Sequence, residues 1–177
     1  MEYKVFFKDT NNIKYPGEKV GVEIIEKFEE ENDISVPDVF KNFLLETNGG
    51  NLLYKNVAFL IEDFYGDQQL IIVERMSSFV EFSRELKEVR TQKDYVFEDF
   101  EKIAIIGRCR MREFIFIGIS KDNFGKIYFA PDDNVTDFVS MDNDSSIYPI
   151  FEIASDLDTF LIMLKHPGEY EPSFYED

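Results

Sequence analysis

Few residues in this sequence combine a reactive side chain with a partner at a useful spacing. Cys109 is the single cysteine and His166 is the single histidine. A nucleophilic side chain needs a base placed beside it, and no serine or cysteine stands at a recognisable spacing from His166. We therefore expect His166 to lie in the last turn of a closing helix, where a cation interacts favourably with the helix dipole. Arg108 and Arg110 flank Cys109 and could lower the pKa of its thiol, but we expect an ordinary structural cysteine.

Three arginines at alternate positions are the main cationic feature. Arg108, Arg110 and Arg112 would share one face of a continuous strand and could bind an anion or an acidic partner there. They follow Gly107, however, which favours the end of a strand or a turn. We therefore expect them to pair with the abundant carboxylates of the protein itself.

No motif for a metal, a cofactor or a phosphate group is complete. The stretch from Asp142 to Ser146 resembles the first half of a calcium-binding loop, but isoleucine occupies the sixth and twelfth positions, where such a loop needs glycine and glutamate. Gly49-Gly50 lacks the lysine of a phosphate-binding loop. We expect no cofactor, no metal site and no enzymatic activity. The alternative is an undetected hydrolase or metal-dependent enzyme, which would require clustered histidine, cysteine or carboxylate ligands.

The net charge indicates which classes of partner the protein can bind. It is −17 over 177 residues, whereas direct nucleic-acid binding needs clustered lysine and arginine. Residues 122–177 carry 2 basic and 13 acidic side chains, while residues 61–121 carry 10 basic and 12 acidic ones. This uneven charge either keeps the protein soluble or attracts a basic partner. We expect a protein partner, with no direct nucleic-acid contact and no membrane contact.

The candidate partner-binding residues are acidic side chains in predicted loops, because loops accept charge without a cost of burial. In the last third of the chain they are Asp132, Asp133, Asp137, Asp142 and Asp144. A second candidate surface follows a strand predicted at residues 52–61 and consists of Glu62, Asp63 and Asp67.

Two successive helices are the clearest elements. The first, between residues 18 and 31, has its apolar side chains on one face: Val20, Ile24, Ile25 and Phe28. The second spans residues 37–47, with Pro37 in its first turn and Ser35 and Asp38 as a candidate capping pair. Its apolar stripe consists of Phe40, Phe43 and Leu44. Asn48-Gly49-Gly50 then ends the helix, because glycine adopts the left-handed conformation without a Cβ clash.

Further strands are predicted at residues 69–74, 103–106, 113–119, 126–129 and 135–139, with a hairpin turn at residues 122–125. Further helices are predicted at residues 78–90 and 155–166. This order predicts an α+β fold in which helices pack against a mainly antiparallel, twisted sheet of about five or six strands. We expect a single domain over residues 1–168, followed by an acidic tail at residues 169–177.

An acidic helix, a short linker, a hydrophobic residue before proline, an aromatic-rich helix and Asn-Gly-Gly together resemble the SUKH superfamily. This superfamily includes bacterial immunity proteins and fungal cell-wall synthesis regulators. The residues that carry the resemblance are Pro37, Phe40, Phe43, Asn48, Gly49, Gly50 and Gly107. Gly107 ends the strand that begins at Ile103, and the similarity continues over residues 102–165 to the closing helix. The resemblance also implies the α+β fold, and its motifs indicate a fold rather than a catalytic site.

For a bacterial protein, the resemblance implies an immunity protein that binds and neutralises a cognate polymorphic toxin, commonly a nuclease. Inhibition would work by occlusion, with an acidic surface covering the basic groove where the nuclease takes its substrate. The alternative is a regulatory or scaffold protein of the same fold, which would predict long disordered extensions. The N-terminal residues have no long apolar run after their charges, so we expect no signal peptide and a cytoplasmic location.

Overall fold

The fold is built on one antiparallel sheet. The computed structural model describes residues 13–14, 16–52, 57–62, 66–91, 102–131 and 150–170. Within these ranges the eight strands are β1 (Ile13–Lys14), β2 (Gly50–Leu52), β3 (Ala58–Glu62), β4 (Gln68–Met76), β5 (Ile103–Cys109), β6 (Phe114–Gly118), β7 (Ile127–Ala130) and β8 (Phe151–Ala154). The helices are α1 (Val22–Asn32), α2 (Asp38–Glu46), α3 (Phe79–Thr91) and α4 (Leu157–Met163), and a 3-10 turn follows at Pro167–Glu169. The predicted α+β class with an antiparallel sheet is confirmed.

The strands lie in the order β1-β2-β4-β5-β6-β7-β8, and β3 also pairs with β4. The prediction of a single strand at residues 52–61 is wrong, because two strands, β2 and β3, lie here. β2 pairs with β4 at Gly50 opposite Met76, whereas β3 pairs with β4 at residues 68–72. The long strand β4 therefore pairs with two short strands. The sheet also has more strands than the predicted five or six. One of the additional strands is β8, a strand of four residues that pairs with β7. The strand predicted at residues 135–139 lies outside the described residues.

Phenylalanine rings connect the helices to the sheet. The Phe28 ring of α1 meets the Phe79 ring of α3 edge to face, with centroids 5.4 Å apart, and Phe40 of α2 meets Phe82 of α3 at 5.3 Å. On the sheet, Phe59 packs edge to face against rings of β7 and α4. Edge-to-face pairs add to the hydrophobic gain of burial. The predicted stripe of α2 is confirmed, because all three of its side chains are fully buried.

The apolar face predicted for the first helix is only partly correct. Ile25 and Phe28 are buried, but Ile24 is 49% exposed. The buried stripe of α1 is narrow because only one side of this surface helix contacts the core. The start of α2 also differs from the prediction. Pro37 precedes the first helical residue and lies at the cap position, where no side chain makes a capping hydrogen bond.

Asn48 joins three parts of the fold at the end of α2. Its Oδ1 accepts a hydrogen bond from the backbone N–H of Phe79 at 2.6 Å, and its Nδ2 donates to the backbone carbonyl of Glu18. The side chain is 5% exposed, so these bonds satisfy a buried polar group. Its backbone carbonyl also accepts from the N–H of Gly17 at 3.2 Å. The residue that ends α2 therefore also positions the first residue of α3.

The two glycines after Asn48 have positive φ angles, 79° at Gly49 and 129° at Gly50. At Gly49 the chain also approaches the start of α3 so closely that a Cβ atom would lie 2.5 Å from the backbone nitrogen of Ser78. The predicted stop of the helix is thus confirmed, and close packing adds a second requirement for glycine at Gly49.

None of the helices in the described part of the chain has the length and apolar composition that a membrane crossing requires.

We predict that Gly49→Ala destabilises the protein more than Gly66→Ala. Both glycines have positive φ, 79° and 86°, but a Cβ at Gly66 would have no atom within 4 Å. Alanine at Gly66 should therefore cost about 1–2 kcal/mol from the left-handed conformation alone. Alanine at Gly49 should cost this amount plus the energy of displacing α3. Urea denaturation of both variants measures the difference, and equal losses would contradict the packing argument.

Candidate functional site

Cys109 is a buried thiol at the end of β5. Burial raises the pKa of the Cys109 thiol well above its ordinary value, and the charges of Glu113 and Glu74 raise it further. The flanking arginines therefore do not lower this pKa. A protonated, inaccessible thiol is a poor nucleophile, so Cys109 is a structural residue.

His166 caps the 3-10 turn that follows α4. Its Nδ1 accepts a hydrogen bond from the N–H of Gly168 at 3.1 Å, and its own N–H donates to a carboxylate oxygen of Glu169 at 3.1 Å. The predicted position in the last turn of the closing helix is wrong, because α4 ends at Met163. The chain becomes extended there, since Lys165 pairs with the backbone of Ala58.

The three alternate arginines do not form one surface. Arg108 lies on β5, donates to a carboxylate oxygen of the buried Glu85 at 2.6 Å and stacks over the ring of Phe114 at 4.8 Å. Arg110 and Arg112 lie in the turn between β5 and β6, and Arg112 has a φ of 74°. The prediction that these arginines pair with the protein's own carboxylates is confirmed at Arg108. Among the described residues, no group of three or more histidine, cysteine or carboxylate side chains is placed to hold a metal ion.

The predicted partner-binding residues are only partly within the described chain. Asp132, Asp133, Asp137, Asp142 and Asp144 lie outside the described residues, as does Asp63. Glu62 and Asp67 are exposed, and they lie at one end of the β3–β4 pair because Glu62 is opposite Gln68. These two carboxylates form a small acidic edge next to the sheet.

A larger acidic concavity lies at the two-helix unit, which consists of α1, the linker at residues 33–37 and α2. It has a volume of about 880 Å³ and is lined by the end of α1, the linker to α2, the start of α2 and the β6–β7 turn. We call it the acidic groove, and its lining residues are Glu26, Glu29, Glu30, Asp33, Ile34, Ser35, Val36, Asp38, Lys41, Ile119 and Phe124. Five carboxylates and one ammonium group thus share one surface.

Glu29 stabilises the linker, which forms one side of the acidic groove. One of its carboxylate oxygens accepts from the backbone N–H of Val36 at 2.6 Å, and the other contacts the Lys41 ammonium at 2.7 Å. The linker itself begins at Asp33, whose left-handed φ of 52° ends α1. Through these bonds Glu29 and Lys41 neutralise each other and fix the angle between the two helices.

The other four carboxylates of the acidic groove have no such role. Glu26, Glu30, Asp33 and Asp38 are exposed, and their side chains make no hydrogen bond or ion pair with the rest of the described chain. Because Lys41 is engaged by Glu29, the charge of these four side chains is uncompensated within the groove.

The opposite wall is the tight turn between β6 and β7, as predicted for residues 122–125. Asn123 stabilises the turn, since its Oδ1 accepts from the N–H of Ser120 at 3.1 Å and its Nδ2 donates to the carbonyl of Lys102 at 3.1 Å. A Cβ at Gly125 would lie 4.0 Å from the Cβ of Pro37, so the turn lies close to the linker. The Phe124 ring at its tip is 48% exposed. This fixed turn therefore presents an aromatic side chain to solvent beside the carboxylates.

The sequence analysis missed the acidic groove. Glu26 and Glu30 look like the ordinary solvated face of an amphipathic helix, and Phe124 looks like a residue of a hairpin turn. The only signal in the sequence is the density of carboxylates between residues 23 and 38 without an equal number of lysines or arginines.

A comparison with protein families finds one match. The sequence model of the SMI1 / KNR4 family (SUKH-1) matches residues 19–163. This span contains the two-helix unit, Asn48 and every residue that lines the acidic groove. No curated protein matches the chain.

We predict that Glu29→Ala destabilises the protein whereas Glu26→Ala does not. Both substitutions remove one negative charge from the same helix, but only Glu29 makes hydrogen bonds. Loss of Glu29 leaves the buried N–H of Val36 and the partly buried Lys41 without a partner, which should cost about 1–3 kcal/mol. Chemical denaturation of the two variants measures this difference. If Glu26→Ala destabilises as much as Glu29→Ala, charge removal and not the lost bonds is responsible.

Proposed function

The chain belongs to the SMI1 / KNR4 family (SUKH-1), and we propose that it is a bacterial immunity protein that binds and neutralises a cognate polymorphic toxin. Family membership is the observation that carries the proposal. It is supported by the environments of the two side chains best suited to catalysis. Cys109 is buried and His166 caps a turn, so both have structural roles. A protein that acts by binding needs neither of them.

The toxin that best fits this protein is a basic nuclease, and inhibition works by occlusion. A nuclease must expose a positively charged groove to bind phosphates. A protein of net charge −17 is attracted to such a groove and can cover it without any chemistry of its own. Long-range attraction of this kind raises association rates by roughly 10- to 1,000-fold and weakens in salt.

We predict that co-expression of this protein rescues cells from the toxin domain encoded beside its gene. The toxin domain alone should stop growth, and the two proteins should co-purify as a complex without nuclease activity. His166→Ala and Cys109→Ser should protect as well as the wild type, because inhibition by occlusion requires no chemistry from either side chain. Growth arrest despite normal amounts of folded protein would refute the immunity function. Complete loss of protection in a stable His166→Ala variant would favour the enzyme alternative.

We further predict that the acidic residues of the loops predicted in the last third of the chain steer the toxin towards this protein. Changing Asp132, Asp133, Asp137, Asp142 and Asp144 to asparagine should slow association and flatten its salt dependence, while dissociation changes less. The comparison variant changes Glu62, Asp63 and Asp67 to their amides. Stopped-flow measurements against a catalytically inactive toxin domain give the effect per charge removed. An association rate and salt slope unchanged in the five-Asp variant would show that these loops do not face the toxin.

A further inference from the structure

We propose that the acidic groove is the anchor site for one segment of the toxin, in which a lysine or arginine lies next to an apolar side chain. This inference rests on the proposed function and specifies which surface of the protein holds its partner. It assigns the groove a contact role, which is distinct from the long-range steering assigned to the acidic side chains of residues 132–144.

The negative charge of the groove indicates that the side chain it binds carries a positive charge. Glu26, Glu30, Asp33 and Asp38 repel one another, and no described side chain pairs with them to offset this repulsion. A cationic side chain that enters the groove meets several carboxylates at once and releases this repulsion. An acidic or neutral segment would gain no such interaction. Charge complementarity therefore selects a lysine or arginine.

The apolar part of the groove indicates a neighbouring hydrophobic side chain on the partner. Phe124 is 48% exposed, and Ile34, Val36 and Ile119 line the same concavity. Aromatic anchors that become buried on binding commonly contribute much of the binding energy in protein interfaces. The Asn123 hydrogen bonds already hold the turn that carries Phe124. Binding therefore requires little further ordering of this wall.

The size of the groove limits the occupant to a short segment. A volume of about 880 Å³ is comparable with that of pockets that enclose a drug-sized molecule, so it accommodates a few side chains and not a folded domain. A loop or a helix end of the toxin could enter it, while the rest of the toxin contacts the surrounding surface. The groove would then determine how long the complex lasts, because local contacts act mainly on dissociation.

The test compares two variants with equal charge change. The groove variant combines Glu26→Gln, Glu30→Gln and Asp38→Asn. The control variant combines Glu18→Gln, Glu31→Gln and Glu74→Gln, three exposed carboxylates that do not line the groove. Asp33 is left unchanged because its left-handed conformation ends α1. Phe124→Ala forms a third variant and tests the apolar wall. Thermal unfolding first establishes that all three variants are folded.

Dissociation from a catalytically inactive toxin domain is the main measurement. The groove variant and Phe124→Ala should each dissociate at least about tenfold faster than the wild type, a loss of about 1.4 kcal/mol. The control variant should associate somewhat more slowly and dissociate at the wild-type rate. Equal dissociation rates for the groove and control variants would overturn the proposal. It would also be overturned if sedimentation showed that the wild type dimerises through the groove.

A peptide probe separates this inference from the immunity function. If the wild type does not bind the toxin domain at all, the proposed function fails. Binding to the groove is then measured separately, by fluorescence anisotropy with short labelled peptides. A peptide of alternating arginine and leucine should bind the wild type, and bind the groove variant and Phe124→Ala at least about tenfold more weakly. A peptide of alternating arginine and glycine should be insensitive to Phe124→Ala. Equal weakening of the arginine–leucine peptide by the groove and control variants would show only non-specific attraction.

Discussion

The hydrogen bonds of one buried amide, the side chain of Asn48, connect the parts of this fold. Asn48 ends α2, accepts the first N–H of α3 and donates to the segment that precedes α1. The first N–H groups of a helix have no intrahelical partner. A buried N–H group of this kind costs free energy unless another group accepts its hydrogen bond. Asn48 supplies that acceptor from a different helix. The phenylalanine contacts between α1, α2 and α3 depend on this junction, because it fixes where α3 begins.

The acidic groove is a consequence of the same arrangement. Its two walls come from residues 26–41 and from the β6–β7 turn, which are far apart in the chain. The core brings them together, and they approach each other where Gly125 lies near Pro37. Within the groove, Glu29 stabilises the linker, while neighbouring carboxylates are exposed and pair with no side chain in the described part of the chain. Residues of one chemical type, a few positions apart, therefore have different roles that only their contacts distinguish.

An acidic binding protein can use charge in two physically separate ways. Charges that attract a partner over a distance act on the association rate. Salt weakens this attraction, with a screening length of about 8 Å at physiological ionic strength. Charges that meet a partner in a concavity act on the lifetime of the complex and depend on local geometry. In this protein we propose the first role for the acidic side chains of residues 132–144, and the second for the groove beside Phe124. An immunity protein needs both, because it must reach its toxin quickly and release it rarely.

The sequence by itself determined the features that depend on neighbours along the chain. The stripe of Phe40, Phe43 and Leu44 and the stop at Asn48-Gly49-Gly50 follow from helix periodicity and from the conformational freedom of glycine, and both are local properties. Tertiary structure decided which segments meet. The division of one predicted strand into β2 and β3 appears only in their pairing with different parts of β4, and the position of His166 depends on the pairing of Lys165 with Ala58. The groove belongs to the same class, because Phe124 and Glu30 are neighbours only after the sheet has placed its turn against the linker.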